Sequence, residues 1–194
     1  MNLLIAVIWH LIKMEENDLT KKRMMFIKSE DYNFLTYNMF IILNGLDCVE
    51  GKSSLRDHRK ISFLIDFISN GKLIDIIDKQ SKNPNSKINE VDKELLSQSF
   101  SDSLLRIRTI NQLVFTLTNE GFITITDKKL DKLCICLNKQ RIQKEFLKGE
   151  IFKIERSNIN RLKSIVQRIS ILDISTMLSN LYYKNGIPDE QLIS

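Results

Sequence analysis

Apolar positions along this chain recur mainly at intervals of three and four, the period that gathers side chains on one side of a helix. The run "YNFLTYNMFIILNG" carries Phe34, Leu35, Met39, Ile42 and Leu43, with Leu46 just beyond. Ser29 or Asp31 can cap such a helix, and the broad apolar face favours helix over strand despite the β-branched Ile41 and Ile42. In "SLRDHRKISFLIDFISNGK" the repeat is Ile61, Leu64, Ile65 and Ile68, and Asn70-Gly71 supplies a stop. "KLIDIID" extends as a further short helix. The polar "KQSKNPNSKIN" at 79–89 surrounds Pro84, lacks any period and reads as a mobile loop. "VDKELLSQ" is then a short amphipathic turn or helix.

Residues 99–138 are the most informative. Ser101 can cap a helix over about 102–119, with Leu104, Ile107, Ile110, Val114 and Leu117 inward and Gly121 just past its end. "FITIT" and "KLCICLN" switch to strand-forming runs around a charged turn, which predicts a hairpin. A helix feeding through Gly121 into a hairpin, after shorter helices, is the winged-helix pattern. The helix would be the recognition element and the hairpin the wing. Further on, "SNINRLKSIVQRISILDISTMLSNLYYKNGIP" predicts one long helix, capped by Ser157 and stopped by Asn185-Gly186 with Pro188. The expected fold is therefore mainly α with a small β-hairpin, a winged-helix-like core and a long C-terminal helix. Its parts are an N-terminal apolar extension (1–24), the winged-helix-like domain (25–140) and a basic connector with the last helix (141–194).

Two features of composition change this picture. The chain has 194 residues and a net charge of +5, but residues 139–168 alone carry nine Lys or Arg against three Glu. That basic segment is compatible with nucleic acid or with an acidic protein partner. Three cysteines, an odd number without framework spacing, point to a reducing cytoplasm. Cys134 and Cys136 share one strand face, yet two thiols do not make a zinc site, and His10 and His58 do not complete one. The apolar stretch at 3–12 is half the length of about 20 residues that a membrane helix needs. It lacks the basic start and cleavage site of a signal peptide. A short packed helix is one reading of it; a start at Met14, Met24 or Met25 is the other. No membrane association is expected.

"NGLDCVEGKSS" ends like a phosphate-binding loop. That loop needs four residues between its glycines so that backbone amides wrap the phosphate, whereas Gly45 and Gly51 bracket five. Asp47 and Glu50 would also face the polyanion, and the segment before them reads as helix. A nucleotide-dependent enzyme using Gly51-Lys52-Ser53 is thus the least favoured class. Asp57 beside His58 lacks a placed nucleophile, and Asp66, Asp75 and Asp78 read as solvated helix faces. No catalytic residues, metal ligands or cofactor are expected.

Two surfaces remain as candidates. For nucleic acid, Arg106, Arg108, Thr109 and Gln112 on the recognition helix and Lys128, Lys129 and Lys132 on the wing are residue types that read base edges or phosphates. For a protein partner, the last helix offers an apolar face wider than one stripe. It comprises Ile165, Ile169, Leu172, Leu178 and Leu181, and ends in Tyr182 and Tyr183.

"YNFLTYNMFIILNGLDC", "DHRKISFLIDFI" and "TNEGFITIT", in this order over roughly residues 30–140, resemble the small middle components of bacterial ABC-three-component systems, the group that includes Lamassu antiphage systems. The resemblance implies a non-enzymatic accessory subunit between an SMC/Rad50-like ATPase and an effector nuclease. There the ATPase senses foreign DNA ends and the accessory restrains the effector until then. DNA would be touched directly or through the complex. The alternative is a winged-helix transcriptional regulator acting as a dimer.

Overall fold

The computed structural model describes residues 32–84, 86–129 and 132–187. The 1–24 extension and the caps expected at Ser29 and Asp31 lie outside these residues. Among the described residues the order is α1 (Tyr32–Gly45), α2 (Lys60–Ser69), α3 (Gly71–Lys82), α4 (Glu90–Asn119), β1 (Ile123–Lys129), β2 (Lys132–Leu137), α5 (Lys144–Lys148), α6 (Lys153–Ile165) and α7 (Ile174–Leu181). Short 3-10 turns lie at Lys139–Arg141, Glu150–Phe152 and Tyr183–Asn185. The architecture is mainly helical with one small antiparallel hairpin, as the apolar spacing predicts.

α1 is buried on almost every side: each residue from 34 to 43 lies inside. A helix buried all round belongs at the centre of a core; Thr36 and Asn38 are its only polar residues between 34 and 43 besides Tyr37, and the continuous run "MFIIL" is explained without a strand. α2 packs on α1 and lies between α4 and α6. At the end of α1 the chain needs Gly45, because a Cβ there would stand 2.7 Å from Cγ2 of Ile159 on α6. One hydrophobic core, from Phe34 to Ile187, unites the elements on both sides of residue 140.

Local boundaries follow the sequence in part. Asn70 stops α2 by turning extended (φ −128°, ψ 98°), and its side chain accepts the Lys72 amide to start α3. Gly71 is the first residue of α3 rather than a terminator. α3 runs to Lys82, so the loop expected at 79–89 is shorter. The helix expected at 102–119 begins a dozen residues earlier. Asn89 caps α4 by accepting the Asp92 amide, and Ser101 stands exposed in its middle. No glycine or proline interrupts residues 90–119, so nothing broke the helix there. What hid its first half was polar residues, Ser99 and Ser103, on its inward face. Gly121, at φ +75°, turns the chain out of α4 as expected.

The hairpin pairs Ile123 with Leu137 and Lys129 with Lys132, with an irregularity between Ile125 and Asp127. The segment from 46 to 58 lines the other edge of β2. Val49 bridges Leu137, Leu55 exchanges both backbone bonds with Ile135, and the His58 amide donates to the Leu133 carbonyl. In space the order is this segment, then β2, then β1.

The single long C-terminal helix does not form. α6 starts at Lys153, so Ser157 is interior to it, and it ends at Ile165. The chain then turns through Arg168 in the left-handed region (φ +57°) before α7 begins at Ile174. No glycine or proline dictates the break. Its cause is Lys60, fully buried at the start of α2. Its ammonium donates to the carbonyls of Ile169 (2.9 Å), Ser170 (2.8 Å) and Leu172 (2.9 Å). The Arg56 amide adds a fourth tether to the Ser170 carbonyl. Three acceptors for three N–H donors satisfy the buried ammonium, and continuing the helix would forfeit that match.

Candidate interaction surface

Each surface anticipated from the sequence is changed by folding. The partner face of the last helix is turned inward. Ile169, Leu178, Leu181 and Tyr182 are buried, and Ile165, Leu172 and Tyr183 pack half-buried against the same core. Tyr182 stacks edge-on against Phe63, Phe67 and Phe100, and its hydroxyl meets Ser99 Oγ at 3.1 Å. Burial raises the Tyr182 pKa above its usual value. The width of that apolar face comes from breaking one helix into two pieces that wrap the core.

The candidate nucleic-acid set is divided. Arg106 is an interior residue, 4% exposed. It donates to the Ser62 carbonyl at 2.8 Å and to Asp66 Oδ1 at 2.9 Å. Ser99 Oγ donates to the other carboxylate oxygen of Asp66. Burial raises the Asp66 pKa against the opposing pull of Arg106, so Asp66 is no solvated helix face. Arg108 and Gln112 are exposed and Thr109 half-buried. Gln112 Oε1 accepts the Tyr32 hydroxyl at 3.1 Å. Lys128, Lys129 and Lys132 flank the hairpin tip as expected, with Lys129 near Asp127 at 3.6 Å.

Much of the basic segment is committed internally. Arg161 pairs with Asp75, and Lys153 with Glu150. Lys163 donates to the Gly45 carbonyl (2.9 Å) and approaches Asp47, while Arg156 donates to the Gly149 carbonyl. The Arg161 and Lys163 contacts close α6 onto α3 and α1, and together the four lower the charge available to a polyanion.

The residues weighed for catalysis hold the fold together. His58 Nδ1 accepts the Leu133 amide, which puts the ring proton on Nε2, 2.7 Å from Asn111 Oδ1. The ring thereby pins β2 to α4. Asp57 takes a left-handed backbone (φ +72°) and receives Arg59 on both oxygens, at 3.0 and 2.8 Å. Burial alone would raise the Asp57 pKa; the Arg59 hydrogen bonds and charge override it and hold it below the free-carboxylate value. Gly51-Lys52-Ser53 forms a turn after a helix: Gly51 has φ +77°, Ser53 Oγ donates to the Asp47 carbonyl, and Lys52 points 3.8 Å from Asp47. Burial pushes the Cys48 thiol up to about 11 and raises that of Cys136. Among the described residues no cluster of three His, Cys, Asp or Glu side chains could hold a metal, and no helix is long and apolar enough to cross a membrane.

What sequence reasoning missed is apolar surface left outside. On α4, Val91 is 71%, Leu105 80% and Phe115 50% exposed; Tyr32, beside Gln112, is 48% exposed. A second patch, Ile151 and Ile154, lies at the start of α6. The signal was present: Leu105 falls off the inward repeat of Leu96, Ser103, Ile110 and Leu117. Comparison with protein-family models, characterised proteins and solved structures finds no match.

Proposed function

We propose that this chain is a non-enzymatic protein-bridging subunit that holds an SMC/Rad50-like ATPase and an effector nuclease in one antiphage defence complex. The observation that carries the bridging part is a pair of exposed apolar patches on separate elements, the outer face of α4 and the Ile151/Ile154 corner. Large exposed apolar side chains grouped on a surface mark places where another protein excludes water, and a bridge needs two of them. The ATPase and nuclease as partners rest on the resemblance of residues 30–140.

The connectivity supports a winged-helix-like core: a helix, an extended segment on the far edge of β2, further helices, then α4 and the hairpin. That favours a dimeric DNA-binding regulator as the second reading. Charge argues against it. The outer face of α4 begins with Glu90 and Glu94, Arg106 is inside, and the wing mixes its lysines with Asp127. Carboxylates along a recognition helix repel phosphate.

The test is recovery of the tagged chain from its native cells, with and without nuclease treatment, read by mass spectrometry. A large ATPase and a nuclease in both samples, lost with Ile154→Asp, would establish the bridge. Recovery of the chain with only nuclease-sensitive DNA would overturn it. Purified protein whose duplex binding falls steeply with salt would install the regulator instead.

A further inference from the structure

The outer face of α4 has a regularity that a surface for arbitrary partners does not need. From residue 91 to residue 119, every position reached by alternating steps of three and four is exposed. That spacing is the one along which two helices can pair, and Val91, Leu105 and Phe115 are its apolar positions. It runs the whole of α4, about 45 Å at 1.5 Å per residue.

We propose that a second copy of this chain covers this seam, with the two α4 helices antiparallel about a two-fold axis near residue 103. The inference rests on the bridging reading only in treating the α4 face as a protein surface; with that face taken by the second copy, the two surfaces a bridge needs are the Ile151/Ile154 corners of the two protomers. Its content is the partner and the register.

The register follows from the residues. Aligning positions that sum to 206 places Val91 opposite Phe115 of the second copy, so the end layers are apolar. Leu105 then meets Ser101. Between them Glu94 faces Gln112 and Gln98 faces Arg108, so each polar layer joins a donor to an acceptor. Gln112 is prepared for this: its oxygen is occupied by the Tyr32 hydroxyl, which leaves its NH2 group to donate to a carboxylate. Charge agrees. The first half of α4 holds Glu90, Asp92, Glu94 and Asp102 against Lys93, while the second half holds no acid and presents Arg108, its other arginine, Arg106, being buried on Asp66. An antiparallel pair sets these halves against each other and opposes the helix dipoles. A parallel pair would stack Glu94 on Glu94 and Arg108 on Arg108.

The strength expected is modest. Strips about 45 Å long and about 10 Å wide on both helices give roughly 900 Å² in all, near the lower limit of about 1,000 Å² for a specific interface. Association in the micromolar range is the expectation.

Sedimentation velocity of the full chain, from about 1 to about 200 µM, tests it across that range. The expected result is a monomer–dimer equilibrium that Leu105→Glu weakens by at least about 100-fold, with the thermal midpoint of the monomer unchanged. Glu94→Cys combined with Gln112→Cys should give an intermolecular disulfide on mild oxidation, whereas Gln98→Cys alone should not. A wild-type monomer at every concentration, a dimer indifferent to Leu105→Glu, or ready crosslinking through Gln98→Cys alone would each overturn the proposal. A monomer that still captures ATPase and nuclease would sink the dimer and leave the bridge standing; a dimer that captures neither would do the reverse.

Discussion

Consecutive residues on α4 invert the ordinary rule for which side chains go inside. Leu105 is 80% exposed and Arg106 is 4% exposed. On the inner face, a guanidinium and a carboxylate share a site lined by Ser99, Ser103 and Tyr182. On the outer face, Leu105 and Phe115 stand in water. An inner face built on charge is costly unless every group is paired, and an outer face bearing leucine gains nothing from the monomer. The difference separates two demands. The inner face fixes how α4 docks on α2, and the outer face is reserved for contact between molecules.

The comparison breaks most severely at Arg106. Substituting Arg106→Met should cost about 3–5 kcal/mol, because the half-buried Asp66 loses its counter-charge and the buried Ser62 carbonyl its donor. Urea denaturation measures this. The double variant Arg106→Leu with Asp66→Leu should recover much of the loss, since removing both charges leaves none uncompensated. A double variant no better than the single one would mean that packing, and not charge, dominates the inner face.

Lys60 sharpens the same point, since it is the other cation on an inward face. Lys60→Met takes the donor from the Ile169 and Leu172 carbonyls, while Ser170 keeps the Arg56 amide, and should cost about 2–4 kcal/mol. Limited proteolysis should then cut within 166–173, where the wild type resists. Burial pulls the Lys60 pKa from 10.5 down to about 8. Between those values the unfolded chain binds the extra proton, so wild-type stability should gain on the methionine variant as pH rises from 8 to 10.5. Denaturation at a series of pH values reads that gain; parallel curves would show that the three carbonyls hold the proton as firmly as water does.

These two cations also mark where the sequence was legible and where it was not. Apolar spacing located α1, α2 and the hairpin because their inward positions are almost all apolar. The same method extended the last helix through 166–173, since nothing local forbids it and the cause lies more than a hundred residues away in Lys60. It also assigned Arg106 to solvent. Yet Arg106 stands four, seven and eleven residues before Ile110, Leu113 and Leu117, all buried, and Lys60 stands three, four and seven before Phe63, Leu64 and Phe67. A charged residue in phase with an apolar repeat is a buried charge awaiting a partner, and that phase was readable. The partners were not, because tertiary packing chooses them. Likewise the seam on α4 hid behind its own polar residues, and it emerges only once the inner face is known.

A smaller effect is expected at the α2 entrance, where a buried acid is paired with a cation that still reaches water. Asp57→Asn weakens the fork with Arg59 and should cost about 1–2 kcal/mol at pH 7. The folded pKa of Asp57 lies below its ordinary 3.8, so its stabilisation is present above that value and is lost as pH falls through the folded pKa. Wild type and variant should therefore converge in acid. A constant gap down to the acid transition would instead assign the loss to hydrogen-bond geometry around Asp57 and not to its charge.

The smallest expected effect is the most telling. Leu105→Glu places a charge one residue from Arg106, on a helix already acidic in its first half. If the outer face contributes nothing to the monomer, unfolding of the dilute protein should change by no more than about 0.5 kcal/mol, the usual range for surface substitutions. The change should also be independent of protein concentration in the variant but not in the wild type, whose midpoint rises with concentration when folding is coupled to association. Measuring both midpoints at two concentrations separates the faces. A large loss in dilute solution would mean that Leu105 supports its own monomer, and the division of α4 into a structural face and a reserved face would fail there.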